Sequence, residues 1–288
     1  MSHHTLISAQ DLSDLVAAGP PPVLLDCGFD LAHPDAGALA YAQGHLPGAH
    51  YAHLDLDLSG PKTGRNGRHP LPERPVLAAS LARWGITPGQ QVVCYDDQGM
   101  PYASRAWWLL RWMGHVEVAV LDGGRAAWLA TGAALTTLVP ATTDGAPYPQ
   151  FAAAMPTVQA AELMVDLADL AAPAAARRWF ILDARAGERF RGEVEPLDAV
   201  AGHIPGAHQR FFRNNLGSDG RFKPITQLRA EFDALGARPG TVVQQCGSGV
   251  TACHNLLAMA HAGLGDSTLY PGSWSEWCSD PQRPVARG

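Results

Sequence analysis

The chain has 288 residues, of which 47% are hydrophobic and 17% are charged, and its formal net charge at pH 7 is −6. A mildly acidic chain of this kind lacks the strong positive field that binding to nucleic acids or anionic lipid surfaces requires, so neither is expected as a partner. The length predicts about two domains.

The N-terminal residues lack the basic segment and apolar core of a secretory signal. No apolar run approaches the roughly 20 residues that a membrane-spanning helix needs. The five cysteines are an odd and sparse set, unlike a disulfide framework. These features predict a cytoplasmic protein with free thiols and no membrane association.

Three sequence blocks occur twice, in the same order and at nearly the same spacing. They are GHLPGAH at 44–50 with GHIPGAH at 202–208, Val92-Val93 with Val242-Val243, and LDGGRAAW at 121–128 with YPGSWSEW at 270–277. Such a repeat predicts a duplicated domain. We expect the domains to cover residues 1–138 and 157–288, joined by a linker over 139–156 that is rich in Ala, Thr and Pro.

Each half also shows the same order of predicted elements. The first half has a helix start at Ser8 and elements at 22–26 (strand), 74–84 (helix), 92–93 (strand) and 118–121 (strand), and the second half has the equivalents at 157–163, 179–183, 226–235, 242–243 and 268–270. Short apolar strands that alternate with helices predict an α/β fold, with a central parallel sheet flanked by helices in each half.

The sequence CGSGVTA at 246–252 lies between the Val-Val strand and an apolar helical run. Small residues there let the backbone N–H groups turn toward the Cys246 sulfur, and the dipole of the following helix favours a thiolate. Cys246 is therefore the candidate nucleophile. Backbone groups of Gly247, Gly249 and Val250 are candidate contacts for an anionic substrate.

The Ser248 and Thr251 hydroxyls are candidate catalytic hydrogen-bond donors. The alternative for both is helix capping, because Ser and Thr at a helix start usually act as caps. For Cys246 the alternative is an inert buried cysteine.

The two His-[Leu/Ile]-Pro-Gly-Ala blocks and GSWSEW at 272–277 resemble the signatures of tandem rhodanese-type sulfurtransferases, and CGSGVTA resembles the active loop of their 3-mercaptopyruvate branch. The resemblance implies two rhodanese-like domains, of which only the second carries the nucleophile. Counted from the Val-Val pairs, Asp96 stands where Cys246 stands in the other half. A carboxylate cannot accept a sulfane sulfur, so the first domain is expected to be catalytically silent.

The resemblance further implies a reaction. A sulfane sulfur would pass from 3-mercaptopyruvate or thiosulfate, through a persulfide on Cys246, to cyanide or a thiol, including the thiols of thioredoxin-like proteins. Both donors are small anions. No cofactor or metal ion is implied.

Two arginines and one histidine are candidate substrate contacts. Arg185 and Arg189 follow a predicted strand end, where ligands of α/β sheets bind, and a planar guanidinium suits a carboxylate. By resemblance, Arg189 matches a substrate-binding arginine of the family, and His45 lies in a block whose domain supplies a histidine to the loop serine. The alternatives are an ion pair of Arg185 with Asp183 and a structural role for His45, since His203 takes the same place in the repeat.

One position departs from the 3-mercaptopyruvate pattern, which usually has a second arginine after Glu-Pro. Here Glu195-Pro196 is followed by Leu197 and Asp198. The donor is therefore open between 3-mercaptopyruvate and thiosulfate. A persulfide carrier or redox-sensing module loaded by another protein would need the same loop and is a further alternative.

Overall fold

The computed structural model describes residues 2–143, 148, 155–159, 163 and 178–288. Its contacts divide the chain into two compact units. Unit 1 comprises Met1–Gly60, Pro72–Met155 and Ser218–Phe222, and unit 2 comprises Pro61–Leu71, Pro156–Gly217 and Lys223–Gly288. A short segment from each half of the sequence therefore belongs to the unit that the other half builds.

Unit 1 is built around a parallel sheet with the strand order β1-β5-β4-β2-β3. The strands are β1 (Leu6–Ile7), β2 (Val23–Asp26), β3 (Ala49–Tyr51), β4 (Val92–Tyr95) and β5 (Val118–Leu121). The helices between and after them are α1 (Ala9–Ala18), α2 (Ala36–Gln43), α3 (Arg74–Arg83), α4 (Pro101–Trp112) and α5 (Gly124–Ala130).

The sequence explains these elements locally. The Ser8 hydroxyl accepts a hydrogen bond from the Asp11 N–H at 3.1 Å, which caps α1 where the sequence predicts a helix start. All residues of β4 and β5 are buried, as expected for inner parallel strands with helices on both faces.

Unit 2 has a parallel sheet with the order β7-β6-β8-β9. The strands are β6 (Phe180–Asp183), β7 (His208–Gln209), β8 (Val242–Gln245) and β9 (Thr268–Leu269). The helices are α6 (Gly187–Phe190), α7 (Ile225–Leu235), α8 (Ala252–His261) and α9 (Ser273–Trp277), with a 3-10 turn at Phe212–Asn215. The predicted α/β architecture with a parallel sheet in each half is confirmed.

The helix start predicted at 157–163 was wrong for its first residue, which lies in an extended segment. Thr157 forms a parallel bridge with Leu269, and the Val158 N–H donates to the Leu269 carbonyl at 2.9 Å. These residues therefore extend the sheet edge beside β9, in the place that β1 takes in unit 1. Most of the remaining predicted helix, with residues 160–162, lies outside the described part of the chain.

The strand order of the second sheet places Cys246 at the carboxyl end of an inner strand. Strand β8 is an inner strand between β6 and β9, and it ends at Gln245, directly before Cys246. Strand β6 ends beside it at Asp183. The carboxyl ends of inner parallel strands are the usual ligand sites of open α/β sheets. Within the residues described, no helix is long and apolar enough to cross a bilayer.

Candidate active site

The loop after β8 curls around the Cys246 sulfur. The N–H groups of Ser248 and Gly249 donate to Sγ at 3.4 and 3.1 Å. Cys246 is only 1% exposed, so its sulfur is almost wholly withdrawn from bulk water. Backbone donors that point at a sulfur in such a place stabilise negative charge on it, which is what a nucleophilic thiolate and an anionic persulfide both need.

Helix α9 holds the cysteine loop through hydrogen bonds to the backbone of Cys246. The Cys246 N–H donates to the Ser273 hydroxyl at 3.1 Å, and the Trp274 N–H donates to the Cys246 carbonyl at 2.9 Å. Gly249 has φ of +77°, and a Cβ at that position would lie 2.3 Å from the Pro271 carbonyl oxygen. Only glycine fits there, so the loop conformation depends on it.

Ser248 pairs with a residue that lies far away in the sequence. Its Oγ lies 2.7 Å from Nδ1 of His69, and both side chains are buried. His69 belongs to the segment Pro61–Leu71, which is part of unit 2. The loop thus contains a cysteine sulfur and, two residues on, a hydroxyl that is hydrogen-bonded to an imidazole, the side chain that most often serves as a general acid or base.

The sequence reasoning missed His69, although the repeat contains a signal for it. GRHPL at 67–71 matches GRFKP at 220–224, so Phe222 stands where His69 stands. The structure treats the two segments alike: Gly67 and Gly220 both have positive φ, and each segment belongs to the unit built by the other half of the sequence. The histidine occurs only in the copy that accompanies the cysteine loop.

Thr251 lies directly before helix α8, at its N-cap position, but its side chain makes no capping hydrogen bond. The capping alternative therefore does not describe this residue. Val250 is buried, and its carbonyl accepts the Cys253 N–H at 3.0 Å, which tightens the turn from the loop into the helix.

Two arginines cover Gly247. A Cβ on this glycine would lie 2.9 Å from Arg68 Nη2 and 3.5 and 3.6 Å from Nη1 and Nη2 of Arg189. Because Gly247 has no side chain, both guanidinium groups come close to the loop next to Cys246. Arg68 was not predicted from the sequence. It is a second cation beside Gly247, whereas position 197, where the family pattern has an arginine, holds the exposed Leu197.

Acidic residues hold these arginines in place. Arg189 donates two hydrogen bonds to Glu195, from Nη2 to Oε1 at 2.6 Å and from Nε to Oε2 at 3.3 Å. Asp198 pairs with Nη1 of Arg68 and lies 3.4 Å from Nη2 of Arg189. Within the described residues, these bonds leave Nη2 of Arg68 and Nη1 of Arg189 to face the Gly247 backbone.

Arg185, also a candidate for substrate binding, lies in a different environment. Its guanidinium donates to both oxygens of Asp183, with Nη2 to Oδ2 at 2.7 Å, to Glu195 at 3.4 Å and to the Gly202 carbonyl at 2.8 Å. It stacks on Trp274, with Cζ 4.9 Å from the ring centroid. Nearly all its donors are engaged in a buried network, so the structure supports the alternative of an ion pair with Asp183.

His45 lies in the core of unit 1. Its Nδ1 and Nε2 are 2.8 and 3.1 Å from the carbonyl oxygens of Tyr41 and Leu138, and its ring stacks on Tyr41. His203 is used in the same way in unit 2, with Nδ1 2.8 Å from the Phe190 carbonyl and its ring stacked on Phe190. The geometry supports the structural alternative for His45, and it does not support substrate binding.

The corresponding loop of unit 1 has Asp96 in place of the cysteine, and its backbone N–H groups bind the Asp96 carboxylate. Asp96 Oδ1 accepts the N–H groups of Gln98 and Met100 at 2.9 and 2.8 Å, and Oδ2 accepts those of Tyr102 and Ala103 at 2.9 Å each. The Asp96 carboxylate thus occupies these four backbone N–H groups. The loop has no cysteine, and the same N–H groups are not available to a second anion.

Comparison with known proteins agrees with this geometry. A model of the rhodanese-like domain matches the chain twice, at residues 8–131 and 166–280. A Pseudomonas aeruginosa protein named "Probable 3-mercaptopyruvate sulfurtransferase" is 49% identical over 296 residues, covering 100% of both chains. A Mycobacterium tuberculosis protein named "Putative thiosulfate sulfurtransferase SseB" is 43% identical over 286 residues, covering 98% of this chain and 97% of that one.

Among solved structures, the 3-mercaptopyruvate sulfotransferase SseA from Escherichia coli superposes with a TM-score of 0.78 at 27% identity, covering 94% of this chain and 99% of that one. The chain therefore belongs to the rhodanese family, with two rhodanese-like domains. More narrowly, several of its relatives are named 3-mercaptopyruvate sulfurtransferases, and the chain is a sulfurtransferase.

Proposed function

We propose that this chain transfers a sulfane sulfur from 3-mercaptopyruvate, or more slowly from thiosulfate, to cyanide or a thiol through a persulfide on Cys246. The observation that carries the proposal is the buried Cys246 sulfur, which receives two backbone N–H groups beside a Ser248–His69 pair. The names of the relatives support both donors.

The first half-reaction follows from the groups present. The Cys246 thiolate attacks the donor sulfur, the bond from that sulfur to C3 of mercaptopyruvate breaks, and its electron pair passes to the carbon as an enolate. The proton of the donor thiol is the net source of the proton that C3 gains, which gives pyruvate and an anionic persulfide. The Ser248 hydroxyl, coupled to His69, is placed to hydrogen-bond the enolate oxygen and relay that proton.

The Asp96 loop of unit 1 serves as a guide to where the outer sulfur of a Cys246 persulfide would bind. The Asp96 oxygens are two bonds from Cβ, as the outer sulfur of a cysteine persulfide is. The donors to Asp96 at Met100 and Tyr102 correspond, by position after Asp96, to the N–H groups of Val250 and Ala252 after Cys246. We infer that these two N–H groups hold the outer sulfur, which assigns Val250 a backbone role in substrate binding.

The second half-reaction restores the enzyme. An acceptor thiolate or cyanide attacks the outer sulfur, the sulfur–sulfur bond breaks, and its electron pair returns to Cys246. The products are a persulfide of the acceptor or thiocyanate. We include thioredoxin-like protein thiols among the acceptors, and a reducing compartment such as the cytoplasm suits the five free cysteines.

The donor carboxylate is assigned to the Gly247 backbone face under Arg189 and Arg68, since a guanidinium pairs with a carboxylate through parallel hydrogen bonds. The Gly249 N–H contributes by holding the Cys246 sulfur. Thr251, directly before helix α8, is kept as a candidate hydroxyl donor to the substrate.

Mass spectrometry of the intact protein tests the proposal. Incubated with 3-mercaptopyruvate without an acceptor, the protein should gain the mass of one sulfur atom, and cyanide should remove it as thiocyanate. Cys246→Ser should gain nothing, whereas Cys253→Ser, a change at the other nearby thiol, should behave like the wild type. Loading without turnover on cyanide or thiols would favour the persulfide carrier instead, and no loading by either donor would overturn the proposal.

A further inference from the structure

The acidic residue that follows Leu197 has a position that neither the resemblance nor the reaction explains. Asp198 is 5% exposed at its side chain, it forms an ion pair with Arg68, and it lies 3.4 Å from Arg189. It therefore bridges the two guanidinium groups that cover Gly247. An acid in this place already takes up part of the positive charge that an anionic donor would use.

The surrounding charges are balanced. Three arginines (Arg68, Arg185, Arg189) face three carboxylates (Asp183, Glu195, Asp198) within one connected network, so its formal charge is zero. Among the residues that the structure describes, Arg68 Nη2 and Arg189 Nη1 take no part in these ion pairs. A neutral network with such donors binds an anion through hydrogen bonds and not through net charge. The attraction of such a site for a second negative charge on the ligand is correspondingly weak.

We propose that Asp198 is a specificity-determining residue, a built-in counterion that makes the site favour a monoanionic carboxylate donor over dianionic thiosulfate. This inference rests on the proposed function. The carboxylate of 3-mercaptopyruvate needs only a pair of N–H donors, which Arg68 and Arg189 retain. Thiosulfate carries twice the charge and meets the repulsion of Asp198 twice as strongly, because a Coulomb energy scales with the charge of the ligand.

Asp198→Asn is the direct test. Asparagine keeps an oxygen that can accept from Arg68, so it removes the charge with little change of shape. We expect kcat/KM for 3-mercaptopyruvate to rise about 3-fold and that for thiosulfate to rise about 10-fold, the square of the first factor, as a doubled charge requires. Glu193→Gln is the matched control, since Glu193 pairs with Arg191 at the exposed surface of the same segment, and it should change neither.

Arg68→Met supplies a change of opposite sign, with kcat/KM lowered about 10-fold or more for both donors. A general loss of structure cannot explain a variant that binds more tightly, so Asp198→Asn remains decisive even if Arg68→Met folds poorly. Equal factors for the two donors, or a fall for either donor in Asp198→Asn, would overturn the proposal.

Binding without turnover separates this inference from the proposed function. Calorimetric titration of pyruvate and of sulfate into Cys246→Ser, with and without Asp198→Asn, needs no sulfur transfer. The Asp198→Asn change should tighten sulfate more than pyruvate. If the wild type turns over neither donor, the proposed function fails, and the titrations still decide the role of Asp198.

Discussion

The hydroxyl of Ser248 lies 2.7 Å from Nδ1 of His69, a residue 179 positions earlier in the chain. The contact joins the cysteine loop to a segment that the first half of the sequence supplies and unit 2 incorporates. Such a pair can move a proton, whereas the serine alone, with an ordinary hydroxyl, cannot do so efficiently at neutral pH.

Replacing His69 by Asn should therefore slow turnover with 3-mercaptopyruvate by roughly 100-fold or more, the usual worth of a general acid–base group. The acceptor half-reaction with cyanide needs no proton and should change little. Rapid-quench kinetics of each half-reaction measures the two effects separately. Ser248→Ala should give a similar loss, and the double variant should be no worse than either alone, because both remove one relay. Additive losses would show that the two residues act independently.

The second prediction concerns the shape of the loop. Gly249→Ala places a Cβ 2.3 Å from the Pro271 carbonyl oxygen at a φ of +77°, so the loop must shift. We expect a loss of about 3 kcal/mol in the free energy of unfolding of unit 2 and a large loss of activity. Gly236→Ala is the control: it has φ of +80° but nothing within 4 Å of the added Cβ, so it should cost only about 1 kcal/mol. Chemical denaturation and steady-state kinetics supply both readouts, and equal costs would contradict the steric argument.

Arg185 and Arg191 give a matched pair for the buried ion network. Arg185→Met leaves the buried Asp183 without its main cation and removes the weaker of the two arginine partners of Glu195, which should cost about 3–5 kcal/mol in unfolding free energy. Arg191→Met breaks a surface pair with Glu193 that solvent screens, so it should leave the free energy of unfolding nearly unchanged. Urea titrations compare the two. If the Arg185→Met protein is stable and its KM for the sulfur donors is raised, Arg185 would instead be a substrate-binding residue.

The sequence predicts most of the fold because the repeat and the apolar strands are local signals that parallel sheets require. It also predicts Cys246 as the nucleophile, since a cysteine between a buried strand and a helix is visible without any tertiary contact. His69 and Arg68 lie in a stretch rich in Gly and Pro without strand or helix periodicity, so their proximity to the cysteine loop is visible only in three dimensions, although the repeat already distinguishes His69 from Phe222. His45 shows the opposite case: it has an equivalent in the other copy, His203, and both rings contact backbone carbonyls, whereas His69, replaced by Phe222 in the other copy, contacts Ser248 of the cysteine loop.

The last prediction concerns pH and unit 1. His115 is buried, its Nδ1 lies 2.8 Å from the Tyr148 hydroxyl, and burial lowers the pKa of the imidazole below its ordinary 6.5. Since the folded-state pKa is the lower one, the unfolded chain takes up a proton first as the pH falls. The stability that this residue contributes is therefore complete above pH 6.5 and is lost as the pH falls through the folded-state pKa.

His115→Gln cannot titrate, so its unfolding free energy should fall less than that of the wild type between pH 7.5 and pH 5, by at most about 1.4 kcal/mol for each pH unit below 6.5. Because the two units can unfold separately, hydrogen exchange of peptides from β4 and α4 as a function of urea is the suitable measurement. His33→Gln, at an exposed position, should follow the wild-type curve. Parallel curves for His115→Gln and the wild type would show that burial does not disfavour the charged imidazole, and would remove this residue as a source of acid sensitivity.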